Sequence, residues 1–333
     1  MSDMTAPMGI DETEMTFAEK LGSWCVWATA AALFLTIGWF AMRPNDPVGA
    51  VSVLTRHQPA LMLVQAAALA AVVAGLATVV AGRKLADAGT FAAALGLVAV
   101  SLRGGTAEYL LVQGAEAGGG ARELALKFAG EAAAWFVVLL AAPVVSSVVA
   151  RWTSDSIHGD AGRHPATGGA AEAVMMLHDV SRSQSRDGST DPRTGLKHTI
   201  IAATIGFAAF RVLGTGLSTR SIQHGQSSFV FAAAVASGCY FAHRLYPVRS
   251  ALWSSLGVIM LTFAGLAWAI VSPGDARLPV NIPTSPFLRI LPIQYASVGA
   301  ATTVAMQWYL RAPPEGVAAH QRQRERSPAG IRV

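Results

Sequence analysis

Apolar runs of about twenty residues recur along this 333-residue chain, and no other feature restricts its fold as strongly. A hydrocarbon layer roughly 30 Å thick is crossed by ~20 residues of helix, and there each backbone N–H and C=O has to find its partner within the protein. Eight such runs can be read off, at about 22–42, 60–81, 86–102, 129–150, 199–217, 227–243, 252–272 and 291–310. They predict an all-α, polytopic transmembrane helical bundle of about eight spans. The third run is the weakest, because Asp87 stands at its start and Gly89, Gly96 and Ser101 dilute it. The count becomes seven if 86–102 does not span.

Composition agrees with a lipid solvent. The chain is 53% hydrophobic and 14% charged, whereas an average soluble domain is about a quarter charged. A net charge of +5 and a pI of 9.6 would suit nucleic acid only if the basic residues gathered on one folded face. Instead they interrupt the apolar runs, so they read as membrane-flanking charge and no nucleic-acid partner is expected. Cys25 and Cys239 both lie inside apolar runs, which leaves no disulfide framework. Only four of the basic residues are lysines, and Ala and Gly are abundant. That bias points to a GC-rich bacterial genome and hence to a bacterial inner membrane.

Lys and Arg concentrate on the cytoplasmic side of such spans. Eight spans bring the N-tail, the second, fourth and sixth loops and the C-tail to one side, with sixteen basic residues against eight in the remaining loops. The expected topology therefore has both termini in the cytoplasm. About twenty mostly polar, acidic residues precede the first apolar run, which argues for a retained span rather than a signal peptide.

The domain reading follows: an acidic tail over 1–21, a four-span half over 22–150, a flexible cytoplasmic linker over 151–197, a second four-span half over 198–310 and a basic tail over 311–333. Faint echoes accompany the two halves, such as Leu95-Gly96 against Leu256-Gly257. The linker carries six basic and six acidic residues, and its Ala170–Val180 stretch suits a short amphipathic helix for a membrane surface or a cytoplasmic protein partner. Small residues spaced by four, including Ala66, Ala70 and Ala74, Ala234, Gly238 and Ala242, and Ser297, Ala301 and Ala305, mark expected helix contacts. They do not specify an oligomeric state.

Chemistry is sparsely signalled. Arg211 lies inside an apolar run, where a charge costs at least ~2.5 kcal/mol at the bilayer centre. It is read either as snorkelling to the outer headgroups or as paired with Glu131, with Arg103 and Glu108 completing an intramembrane polar cluster. Gln65, Gln294 and Gln307 are read as interhelical glue. His57, His198, His224 and His243 stand at helix ends, where unliganded histidine is ordinary, and no zinc pattern, nucleophile elbow or phosphate loop occurs. Asp191-Pro192-Arg193-Thr194-Gly195-Leu196 resembles the opening of diguanylate cyclase domains over those six residues, but no GGDEF signature follows. Neither a cofactor nor a metal is expected. A non-enzymatic scaffold or accessory membrane subunit fits these absences; a small-solute transporter and a membrane-embedded lipid-processing enzyme are the alternatives.

Overall fold

The computed structural model describes residues 17–81, 85, 87–117, 121–158, 191–215, 224–248, 250–272 and 285–311. The expected amphipathic stretch Ala170–Val180 and most of both tails lie outside these residues. Among the described residues the protein is helical, with one isolated parallel bridge, Ala50 to Gly105, and no strand.

The helices are α1 (Phe17–Leu33), continued through a π turn (Phe34–Gly38) into α2 (Trp39–Met42), then α3 (Pro59–Ala81), α4 (Ala88–Ser101), α5 (Ala107–Glu116) and α6 (Ala121–His158). After the central segment come α7 (Pro192–Thr215), α8 (His224–Leu245), α9 (Ala251–Val271) and α10 (Pro292–Arg311). Short 3-10 turns stand at Val53–Thr55 and Pro286–Arg289. Helix therefore reaches into both ends of the expected linker, to His158 and from Pro192. Asp191 caps α7: its side chain accepts from the Arg193 N–H, and its carbonyl accepts from Thr194 and Gly195.

Five stretches are long and apolar enough to cross a membrane, Lys20–Met42, Pro59–Ala81, Arg122–Ala150, Pro192–Gly214 and Ala251–Val271, and the chain is a membrane protein on that ground. The expected span at 86–102 is a helix of 14 residues, which covers about 21 Å at 1.5 Å per residue. Helix α4 is short because it is interior. It packs against α1, α3, α6 and α10, and Ala92, Ala93, Ala94, Leu97 and Val100 are all sealed. Helix α10 packs against α4, α6, α8 and α9, and so touches helices of both expected halves. A helix enclosed by protein meets little lipid, which is why α10 carries the buried Gln294, Ser297, Thr303 and Gln307.

Small residues set the close approaches. Ala66, Ala70, Ala74 and Ala77 line the buried face of α3, and Ala234 and Ala242 that of α8. A Cβ on Gly238 would lie 2.4 Å from the Ala202 carbonyl oxygen, so α7 and α8 meet backbone to backbone there. The stripe on α10 departs from expectation at its end: Ala305 is exposed while Thr303 and Val304 are buried. Two glycines receive aromatic rings. Gly96 of α4 faces Phe34 of the π turn, and Gly265 of α9 faces Phe287 of the second 3-10 turn. The echo Leu95-Gly96 against Leu256-Gly257 does not mark equivalent contacts, since Gly257 meets Ala202 and Thr199 instead.

Candidate functional site

The polar residues gather at two ends of the bundle. At the first end, α1 gives way to an irregular segment, 43–58, whose Pro44 and Pro47 cannot supply the N–H groups that would continue a helix. Its backbone groups need partners elsewhere, and Glu131 on α6 provides them. Glu131 is buried; one carboxylate oxygen accepts the Ser52 hydroxyl at 2.5 Å, and the other accepts the Val53 N–H at 2.8 Å and the Trp135 indole N–H at 3.1 Å. Ser52 also accepts the Leu54 N–H and so caps the 3-10 turn. The same segment is tied to α5 by the Tyr109 hydroxyl, which donates to Asp46 at 2.6 Å, and to Gly105 by its N–H on the Gly49 carbonyl at 2.8 Å. Position 105 excludes any side chain, since a Cβ there would lie 2.2 Å from the Val48 carbonyl oxygen.

Arg103 follows α4. A π turn leaves carbonyls without their usual helical partner, and Arg103 donates to that of Leu35 while its guanidinium lies 4.6 Å from the Trp39 ring centre. Arg103→Gln is expected to cost about 1 kcal/mol, from the lost charged hydrogen bond and ring contact. A thermal melt of the purified protein measures this.

Asp46 accepts the Tyr109 hydroxyl and, less strongly, the Val48 N–H, and these hold its carboxyl below the ordinary 3.8. Its contribution is complete above that ordinary value and disappears as the pH falls through the lowered one. The stability difference between wild type and Tyr109→Phe is therefore expected to be constant from neutral pH down to the ordinary carboxylate range and to shrink below it. Melting curves across an acid series test this.

The expected cluster of Arg211, Glu131, Arg103 and Glu108 does not assemble. The acceptors of Glu131 serve segment 43–58 and Trp135, whereas the Arg211 guanidinium lies 4.9 Å from the ring centre of Trp268, itself partly exposed on α9. Glu131 and Arg211 thus form no ion pair. The physical reason lies in the competition for the carboxylate: neighbouring backbone and indole donors stabilise it without burying a second charge. Glu108 instead acts electrostatically on Arg289, a buried residue of the second 3-10 turn: burial holds the guanidinium pKa below its ordinary value, and the charge of Glu108 offsets only part of that. Arg289 was legible only as a loop charge, because nothing local signals that its turn is tucked against α5.

At the opposite end His198 is completely buried, not an ordinary helix-end histidine. Its Nδ1 lies 2.9 Å from the Tyr246 carbonyl and its Nε2 2.9 Å from the Ser254 hydroxyl. A carbonyl only accepts, so Nδ1 carries the proton; a neutral ring then accepts from Ser254 at Nε2. Ser254 in turn accepts from the Gln307 amide at 3.2 Å, and the Cys239 thiol lies beside Ser254 and Thr303. This chain joins α7, α9, α10 and α8. Gln307 is interhelical glue as expected, whereas Gln294 caps its own helix through the Leu291 N–H and Gln65 is exposed. The Ser254–His198 pair has the donor order of a nucleophile and base, but the gap beside it, lined by Cys239, Ser254 and Gly257, has no room for a water molecule.

A larger cavity of about 170 Å³ lies between α4, α6, α9 and α10. No three His, Cys, Asp or Glu residues among the described residues converge to hold a metal ion. Comparison of the chain with protein-family models, with curated proteins and with solved structures gave no match.

Proposed function

We propose that the chain is a non-enzymatic membrane protein, an accessory or scaffolding subunit, which crosses a bacterial inner membrane eight times with both termini in the cytoplasm. The observation that carries the reading is the use made of Glu131: a buried carboxylate that a transporter would present to a solute or proton is taken up by Ser52, Val53 and Trp135 of the chain itself. His198 is likewise engaged by Tyr246 and Ser254. Buried polar groups engaged within the chain in this way rigidify a bundle.

Eight crossings are supported by α8 and α10, which at 22 and 20 residues match the bilayer thickness. Helix α4 is enclosed by protein, where non-helical backbone beyond its ends is tolerated at membrane depth. The inside location of the termini is supported by the sixteen-to-eight division of basic residues. The 151–197 segment is the expected contact for a cytoplasmic protein.

Reconstitution into proteoliposomes tests the reading. With a potential imposed across the vesicle membrane, proton entry reported by a trapped pH dye is expected to equal that of protein-free vesicles. A protein-dependent flux that disappears in Glu131→Gln overturns it. For topology, cysteines placed at Val48 and Ser189 in a chain lacking the native cysteines are expected to label from opposite sides of the membrane; labelling of both from one side removes the eight-crossing arrangement.

A further inference from the structure

The cavity between α6 and α9 has no part in the polar networks described above, and its lining is mostly apolar. Phe136, Leu140 and Pro143 form one wall, Val258 and Ile259 the other, and Ala300 of α10 lies at the bottom. Its volume of about 170 Å³ exceeds that of the dry apolar cavities of ~150 Å³ that take up benzene. Two features keep it open. Pro143 has no N–H and its ring crowds the preceding turn of α6, and Ala300 offers only a methyl group where a longer side chain would fill the floor.

The α9 wall of the cavity runs from Ala251 to Ile259, about 12 Å at 1.5 Å per residue. Three of its polar groups, Asp87, Thr90 and Ser250, stand together at the end where α4 and α9 begin; Ser255 follows one turn along α9, and the lining beyond it toward Phe136 and Ile259 is apolar. The rim residues Leu140 and Leu252 are 50% and 43% exposed. They belong to two of the helices that are long and apolar enough to cross the membrane, so the opening faces the hydrocarbon layer.

We infer that this cleft holds one acyl chain of a membrane phospholipid, inserted sideways from the bilayer with its ester end toward Thr90 and Ser250, whose hydroxyls can donate to an ester oxygen. Lipid tails are as apolar as the walls, so transfer from water contributes nothing. The attraction is dispersion: wall atoms that otherwise face a void gain close partners when a chain fills it. The inference is independent of whether the protein is a scaffold or a transporter.

The test uses the full chain in nanodiscs of phosphatidylcholine that carries a diazirine in one acyl chain, with the adducts mapped by mass spectrometry after illumination. Adducts at Ala300 and Ile259 are expected to exceed those at Val72 and Val79 on α3, which are 57% and 60% exposed. Ser255→Leu and Ala300→Leu, which fill the cleft from different helices, are each expected to bring Ile259 labelling down to the α3 level and to leave α3 labelling unchanged. Wild-type labelling at Ala300 and Ile259 no higher than on α3 overturns the inference, whatever the variants do. So does labelling at Ile259 that persists at the wild-type level in both filled variants, with each still eluting as a single folded species.

Discussion

Gly96→Ala is expected to destabilise the purified protein by about 3 kcal/mol, the upper end for overpacking a close-packed core. An added Cβ would lie 2.1 Å from one ring carbon of Phe34 and 2.6 Å from another, and Phe34 is itself fully buried in the π turn. The ring has no free space in which to turn, so the strain passes to α1 and α4 together. Thermal melts in detergent measure the loss. The sharper readout is the double variant: Phe34→Leu removes ring atoms from the contact, so Gly96→Ala with Phe34→Leu is expected to melt higher than the sum of the single losses allows, with a coupling of about 1–3 kcal/mol. Simple additivity of the two losses would show that the ring and the glycine do not share one space. Gly265→Ala against Phe287 is expected to behave alike, because a Cβ there also lies 2.1 Å from a ring carbon.

Glu131→Leu removes the acceptor from three donors at once. The Ser52 hydroxyl and the Trp135 indole N–H are fully buried, and the Val53 N–H is partly so. An unmet buried donor costs about 1–3 kcal/mol, which places the total at roughly 3–6 kcal/mol. Glu131→Gln keeps a carbonyl oxygen for Val53 and Trp135 and turns an amide toward Ser52, so about 1–2 kcal/mol is expected for it. Amide hydrogen exchange locates the damage: protection is expected to fall across 50–55 in the leucine variant and to stay near wild type in the glutamine one. Equal losses in the two variants would mean that the charge of Glu131, rather than its acceptors, holds the segment.

Most of the helices were legible in the sequence because lipid makes a simple demand on length and polarity. The runs at 22–42, 60–81 and 252–272 differ from the helices ending at Met42, Ala81 and Val271 by a few residues. The short helix of the third run, α4, departs for a physical reason, enclosure by other helices. Asp87 and the glycines of α4 looked like weaknesses of a span, yet Gly89 and Gly96 are where Ser146 of α6 and Phe34 approach. The candidate site was legible in its members and not in its pairings. Glu131 and Arg211 are oppositely charged and begin or end helices on the same side, so pairing them was the economical reading. Which donor lies nearest a carboxylate depends on how segment 43–58 folds back, and no local pattern records that. His198 was underrated for the same reason: its partners Tyr246 and Ser254 are about fifty residues away in sequence.

Helix α6 runs on past the apolar stretch that can cross the membrane. It continues from Ala150, the last residue of its membrane-crossing stretch, to His158, a further 12 Å or so at 1.5 Å per residue. The headgroup layer on one side of a bilayer is only about 5–8 Å deep. Set upright in the bilayer, α6 is thus a short mast whose last turn stands past the lipid headgroups, in water.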